Sequence, residues 1–190
     1  MVCVALSVAV FGCQNYDTLV AKDQECQKAW GNVQSQLQRR ADLITNIVNT
    51  VKGSAKFEKD TLEAVIKARA EATSIQVTPE MLEDPAAMQK FTDAQAQLKG
   101  SLSRLLAVAE AYPDLKSTAA FHDLTVELEG TENRIQRARE QYNSAVSDYN
   151  TELGKIRGQV VNKVTGRTFK PRAYYQADAA ANGPAPTVSF

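Results

Sequence analysis

Tyr16, Asp23, Trp30, Leu37, Ile44 and Val51 stand seven residues apart, with Leu19 or Val20, Cys26, Val33, Arg40 or Ala41, and Ile47 or Val48 between them. A repeat of that period, held over this length, requires a helix that buries one narrow face against a partner helix. Phe121, Leu128, Ile135, Tyr142, Tyr149 and Ile156 form a second such stripe, with Leu124, Ala138, Ala145 or Val146, and Leu153 in the alternate positions. Phe91, Leu98, Leu105 and Tyr112 form a third. A run from Phe57 to about Ile75, carrying Leu62, Val65, Ile66 and Arg69, supplies one more helix. No stretch alternates as a strand must. The stripes predict an all-α, antiparallel four-helix bundle with two long helices, the first and the fourth, followed by an irregular C-terminal tail.

The breaks between stripes carry their own signals. Thr78-Pro79 and Asp84-Pro85 each read as an N-cap followed by proline at the first helical position, and Pro113 stops the third run. The first and fourth helices are about 60 Å long and the middle two about 30 to 40 Å. With short connections the four-helix part lies at one end, and the two long helices continue alone as a stalk. A two-helix stalk buries its stripes poorly, so the pattern predicts self-association through the helix stripes.

Charge and composition narrow the function. Lys+Arg and Asp+Glu both number 22, so no net field draws the chain to nucleic acid. One histidine, His122, and three cysteines without C-x-x-C spacing supply no zinc site. No phosphate-binding glycine loop or nucleophile elbow occurs, and the inventory points to a protein that is not an enzyme and uses no cofactor. The opening "MVCVALSVAVFGCQNYD" begins with twelve almost wholly apolar residues, fewer than the roughly 20 that span a bilayer. It reads as a membrane-attachment segment over residues 1–13, followed by a helical domain over 16–157 and a tail over 158–190. "VFGC" is a loose lipobox in which Cys13 is the lipidated residue; an uncleaved anchor or a short interfacial segment is the alternative.

Polar residues interrupt the stripes. Arg40 falls on the first seam, Arg39 and Asp42 flank it, Glu110 follows a leucine-rich face, and Glu132 and Asn133 lie mid-way along the fourth helix. A charge on a buried seam costs several kcal/mol unless it meets a partner. The economical arrangement is a polar core network of Arg39, Arg40, Asp42, Glu110, Glu132 and Asn133, in which Arg39 or Arg40 meets Glu110 or Glu132. Such a network fixes helix register, or it forms a pocket for a small polar ligand or a peptide. Past Glu152 the tail carries Lys155, Arg157, Lys163, Arg167, Lys170 and Arg172 before the next acid, Asp178, with Phe169, Tyr174 and Tyr175 interleaved. If the fourth helix returns to the membrane, Lys163, Arg167, Lys170, Arg172, Tyr174 and Tyr175 are placed to touch an anionic lipid surface. The plainer reading is a solvated tail or one packed along the stalk.

"YDTLVAKDQECQKAWGNVQSQLQRRADLITNIVNTVKG", "LLAVAEAYPDLKSTAAFHDLTVELEGTENRIQRAREQYNSAVSDYN" and the closing "PAPTVSF" resemble the LemA family of bacterial membrane-associated proteins. The resemblance runs from about Tyr16 to the C-terminus. It implies an antiparallel helical bundle anchored at its N-terminus, with no established enzymatic activity. It also implies residence in the bacterial cell envelope, with the bundle outside the cytoplasm, facing membrane lipid and an envelope protein partner that it does not identify. The family usually has proline at the position of Thr45, and some members begin with a lipobox cysteine before a Tyr-Asn pair; here Asn15 and Tyr16 are in the opposite order.

Overall fold

The computed structural model describes residues 2–53, 57–155 and 169–176, with side chains from Tyr16 onward within those ranges. They form α1 (Val2–Lys52), α2 (Lys59–Ser74), one turn of 3-10 helix (Met81–Glu83), α3 (Pro85–Ala109), the single turn α4 (Pro113–Lys116) and α5 (Ala119–Gly154). The chain is an all-α bundle, and among the described residues no strand forms.

The heptad stripe of α1 is the seam. Leu19, Cys26, Trp30, Val33, Ile44, Ile47 and Val51 are each at most 4% exposed. Across it lie Phe121, Leu128, Ile135, Tyr142, Val146, Tyr149 and Leu153 of α5, all buried. Ion pairs fix the direction: Lys22 meets Asp148 and Arg40 meets Glu132, so α5 descends as α1 rises. α1 runs unbroken for 51 residues, about 75 Å, and its first turns are the apolar residues that open the sequence. Among the described residues no helix is long and apolar enough to cross a membrane. At Thr45 the hydroxyl donates to the Ala41 carbonyl (3.0 Å), and that same carbonyl accepts from Arg69 Nε of α2 (2.8 Å). A proline at this place would break the α1 ladder; threonine leaves it whole.

Asp84 caps α3 by accepting from the Ala86 N–H (2.9 Å), with Pro85 at the first helical position. Thr78-Pro79 starts only one 3-10 turn, because Asp84 must be extended to precede a proline. The helices bury two clusters. One is largely aliphatic, with Ile44, Ile47, Val51, Leu62, Val65, Leu98, Leu102, Leu105, Leu115, Phe121 and Leu128 drawn from all five α-helices. The other is aromatic, with Cys26, Trp30, Met88, Phe91, Tyr142, Tyr149, Phe169 and Tyr175 around the middle of α1 and the later part of α5.

The half expected to be a bare two-helix stalk is not bare. Residues 169–176 lie along it as a strap, with Phe169, Arg172, Ala173 and Tyr175 buried, and the Met81–Glu83 turn closes the adjoining side. The strap pairs to that turn through the Ala173 N–H and the Leu82 carbonyl (2.7 Å). The seam is therefore already covered within one chain over this stretch.

Candidate functional site

Each of the two polar residues on the α1 seam organises a site. Arg40 is 3% exposed and lies between the two apolar clusters. Its Nη1 donates to Glu132 Oε1 of α5 (3.2 Å) and its Nη2 to Gln95 Oε1 of α3. Gln95 Nε2 in turn donates to the Ala72 carbonyl at the end of α2 (3.3 Å). One guanidinium thus ties four helices. Its Nε is buried with no hydrogen-bond partner among the described residues. Beside the group lies a cleft of about 330 Å³, lined by Arg40, Gln95, Lys99, Glu132, Asn133, Gln136, Arg139 and Tyr175.

Of the remaining expected network residues, Arg39, Asp42 and Glu110 lie apart from it, and Asn133 lines only the cleft. Arg39 is exposed and pairs with Glu127 on the surface of α5. Asp42 is exposed and accepts from Gln38 (2.9 Å), one turn away. Asn133 is exposed. Glu110 caps the end of α3 and pairs with Lys116, both more than half exposed, so of the two expected carboxylates Glu132, and not Glu110, meets the arginine. The reason is rotational: Ala109 takes the buried place on the last turn of α3, which turns its neighbour Glu110 to water.

The second seam residue, Asp23, accepts from Arg172 of the strap through Nη2 (2.6 Å) and Nε (3.1 Å), while Nη1 donates to the Pro79 carbonyl (3.3 Å). Burial opposes the charge on Arg172 most strongly, but its hydrogen bonds to Asp23 and the negative charges of Asp23, Tyr149 and Glu83 together outweigh it and raise the guanidinium above its ordinary pKa. The guanidinium stays charged. Arg172 and Tyr175, expected at a lipid surface, are instead buried at 6% and 4% exposure, because the strap turns them inward onto Asp23 and Trp30. Lys170 is exposed and 3.4 Å from Glu83, and Tyr174 is 45% exposed. Lys163 and Arg167 lie outside the described residues, and so do the side-chain surroundings of Cys13.

The strap is held by its backbone. The Tyr142 and Tyr149 hydroxyls donate to the carbonyls of Ala173 (2.9 Å) and Lys170 (3.0 Å). Asn143 donates to the Tyr175 carbonyl and accepts from its N–H, both 2.9 Å. Asn150 does the same with Arg172, at 2.9 and 2.8 Å. Two Tyr-Asn pairs seven apart on α5 therefore read strap residues three apart. Seven helical residues rise about 10.5 Å, and three extended residues span about 10 Å. The Tyr175 ring closes on Trp30 (6.0 Å between centroids) and Phe91 (5.7 Å), with the Arg139 guanidinium 6.0 Å from it. Burial pushes the Cys26 thiol up to about 11 and the Tyr149 hydroxyl to about 12. Cys26 is a packed apolar group rather than a nucleophile. Gln95, Asn143 and Asn150 are the residues that stripe-reading misses. The signal for the last two is present in "QYNSAVSDYN", where the pair repeats at seven with asparagine beside each seam tyrosine.

Among the described residues no group of His, Cys, Asp or Glu could hold a metal ion. The model of the LemA family matches residues 29–190. The magnetosome protein MamQ 2 of Paramagnetospirillum magneticum is 28% identical, over 97% of this chain and 74% of its own. The magnetosome protein MamQ of Magnetospirillum gryphiswaldense is 24% identical, over 89% and 67%. Protein LemA of Metamycoplasma hominis is 23% identical, over 71% and 58%.

Proposed function

This chain belongs to the LemA family, and we propose that it is a membrane-anchored, non-enzymatic scaffold of the bacterial cell envelope, with its bundle outside the cytoplasm. The observation that carries this reading is the continuity of α1. The apolar opening residues, Cys13 and the bundle seam are one helix, so an anchor at the start of the chain positions the whole bundle rigidly. The polar groups at Arg40 and Asp23 are engaged in holding elements together, which suits a framework better than a reaction centre. Membrane lipid and an envelope protein are its partners, and self-association belongs to the same reading. The test is fractionation. The full chain is expected in the membrane fraction, and Cys13→Ser is expected to release it or block its maturation. Native protein that stays soluble after cell breakage would overturn the anchored reading. An intact Met1 without lipid would replace the lipid anchor by an uncleaved one.

A second reading draws on the cleft beside Arg40. Its two further cations, Lys99 and Arg139, face one glutamate, Glu132, which suits a small acidic ligand or a peptide. Titration with small carboxylates, followed by Trp30 fluorescence, tests this reading; Arg139→Ala is expected to weaken any binding.

A further inference from the structure

The seat of residues 169–176 is a groove that holds an extended segment. The Tyr142–Asn143 and Tyr149–Asn150 pairs bind backbone groups, which any extended segment offers. Selectivity comes from Asp23, which takes one arginine, and from the aromatic slot at Trp30 and Phe91, which takes a ring three residues later. None of these contacts depends on which chain carries the strap. The strap joins α5 through residues 156–168, thirteen residues that include Gly158 and Gly166 and reach at most about 45 Å. A neighbouring bundle packed at about 10 Å between helix axes lies well inside that reach.

We propose that the Phe169–Gln176 strap of one copy occupies the groove of a second, in a reciprocal exchange that links neighbouring chains. This rests on the scaffold reading above. A two-way exchange rebuilds every contact of the closed chain, including the Asp23–Arg172 pair, so the contacts themselves favour neither form. Concentration decides. A tether of this length holds its own strap at an effective concentration on the order of millimolar, so a dilute chain keeps its own. Copies confined to one membrane surface approach that figure, and there exchange competes.

The test uses full-length chains with two different tags. Asp23→Arg and Arg172→Asp each place like charges in their own groove. Mixed, they exchange into a pair in which both grooves are matched, one native and one inverted. The expected result is co-purification and dimer-sized elution of the mixture, monomeric elution of either variant alone, and wild-type behaviour of the double variant. A mixture that never co-purifies, beside a double variant that folds, overturns the exchange and leaves the strap as a purely internal closure. If the inverted pair does not fold, wild-type copies decide. Co-reconstituted into vesicles, they are expected to co-purify, and the peptide FKPRAYYQ at about 10 mM, above the tether's effective concentration, is expected to cut that at least about twofold. Co-purification that the peptide leaves unchanged means association through another surface, which overturns the exchange but not the scaffold. No co-purification overturns self-association of any kind.

Discussion

The two halves of the bundle solve the same burial problem by different chemistry. In the half built from α1, α2, α3 and α5, helices face helices, each satisfying its own backbone, and aliphatic side chains such as Ile44, Ile47, Leu98 and Leu105 complete the core. In the other half an extended strap replaces a helix pair. A strap brings unpaired N–H and C=O groups into a buried groove, and these need partners. That need explains the hydroxyls and amides at Tyr142, Asn143, Tyr149 and Asn150, and the ion pair at Asp23. A helix is replaceable by any apolar surface of the right period. A strap demands polar groups at fixed spacing.

The largest effect is expected where that demand is greatest. Arg172→Ala leaves the buried Asp23 without its counter-charge, a loss of about 3 to 5 kcal/mol. Hydrogen exchange locates it: α1 near Asp23 and the end of α5 are expected to lose protection while α2 and α3 keep theirs. Uniform loss across the bundle would mean that the halves are one cooperative unit.

Ile47→Ala, in the aliphatic half, is expected to cost about 2 to 5 kcal/mol by leaving a cavity. Here all helices are expected to exchange faster together, because α1 and α5 span both halves. Urea unfolding with an unchanged slope checks this.

Asn150→Ala removes two hydrogen bonds to Arg172 and is expected to cost about 1 to 3 kcal/mol. Asn143→Ala acts on the same strap through Tyr175, so the double variant is expected to lose less than the sum once the strap has left its groove. Strict additivity would show the strap peeling residue by residue.

Alkali acts on the same half. Cys26 is harder to ionise in the folded chain than its ordinary value of 9.0, at about 11. The unfolded state therefore loses its proton first as the pH rises, and stability present below pH 9 is lost through about pH 11. Tyr149 extends the loss to about pH 12. Urea midpoints at pH 7 and 10 are expected to differ, and less so in Cys26→Ala. The smallest effect belongs to Arg39→Ala. Its pair with Glu127 is solvated, and a cost under about 1 kcal/mol is expected from a melting curve.

Sequence alone determines the bundle. The seven-residue stripes place the helices, Asp84-Pro85 starts α3, and Asp23 and Arg40 stand out as polar residues on a buried seam. These features are local, and periodicity within one segment is enough to specify which face is buried. Partner choice is not local. Glu132 was among the residues expected around Arg40, but Gln95 was not, and Glu110 proved to face water because its rotation on the last turn of α3 depends on how α3 packs. Arg172 sits 149 positions from Asp23 in a segment whose composition reads equally as a lipid-facing tail, a solvated one or one packed along the stalk. Only the tertiary structure brings that segment back along α5, where two Tyr-Asn pairs match its backbone spacing. A charge in sequence carries no record of its partner; the packing of distant elements supplies one, and burial makes the match obligatory.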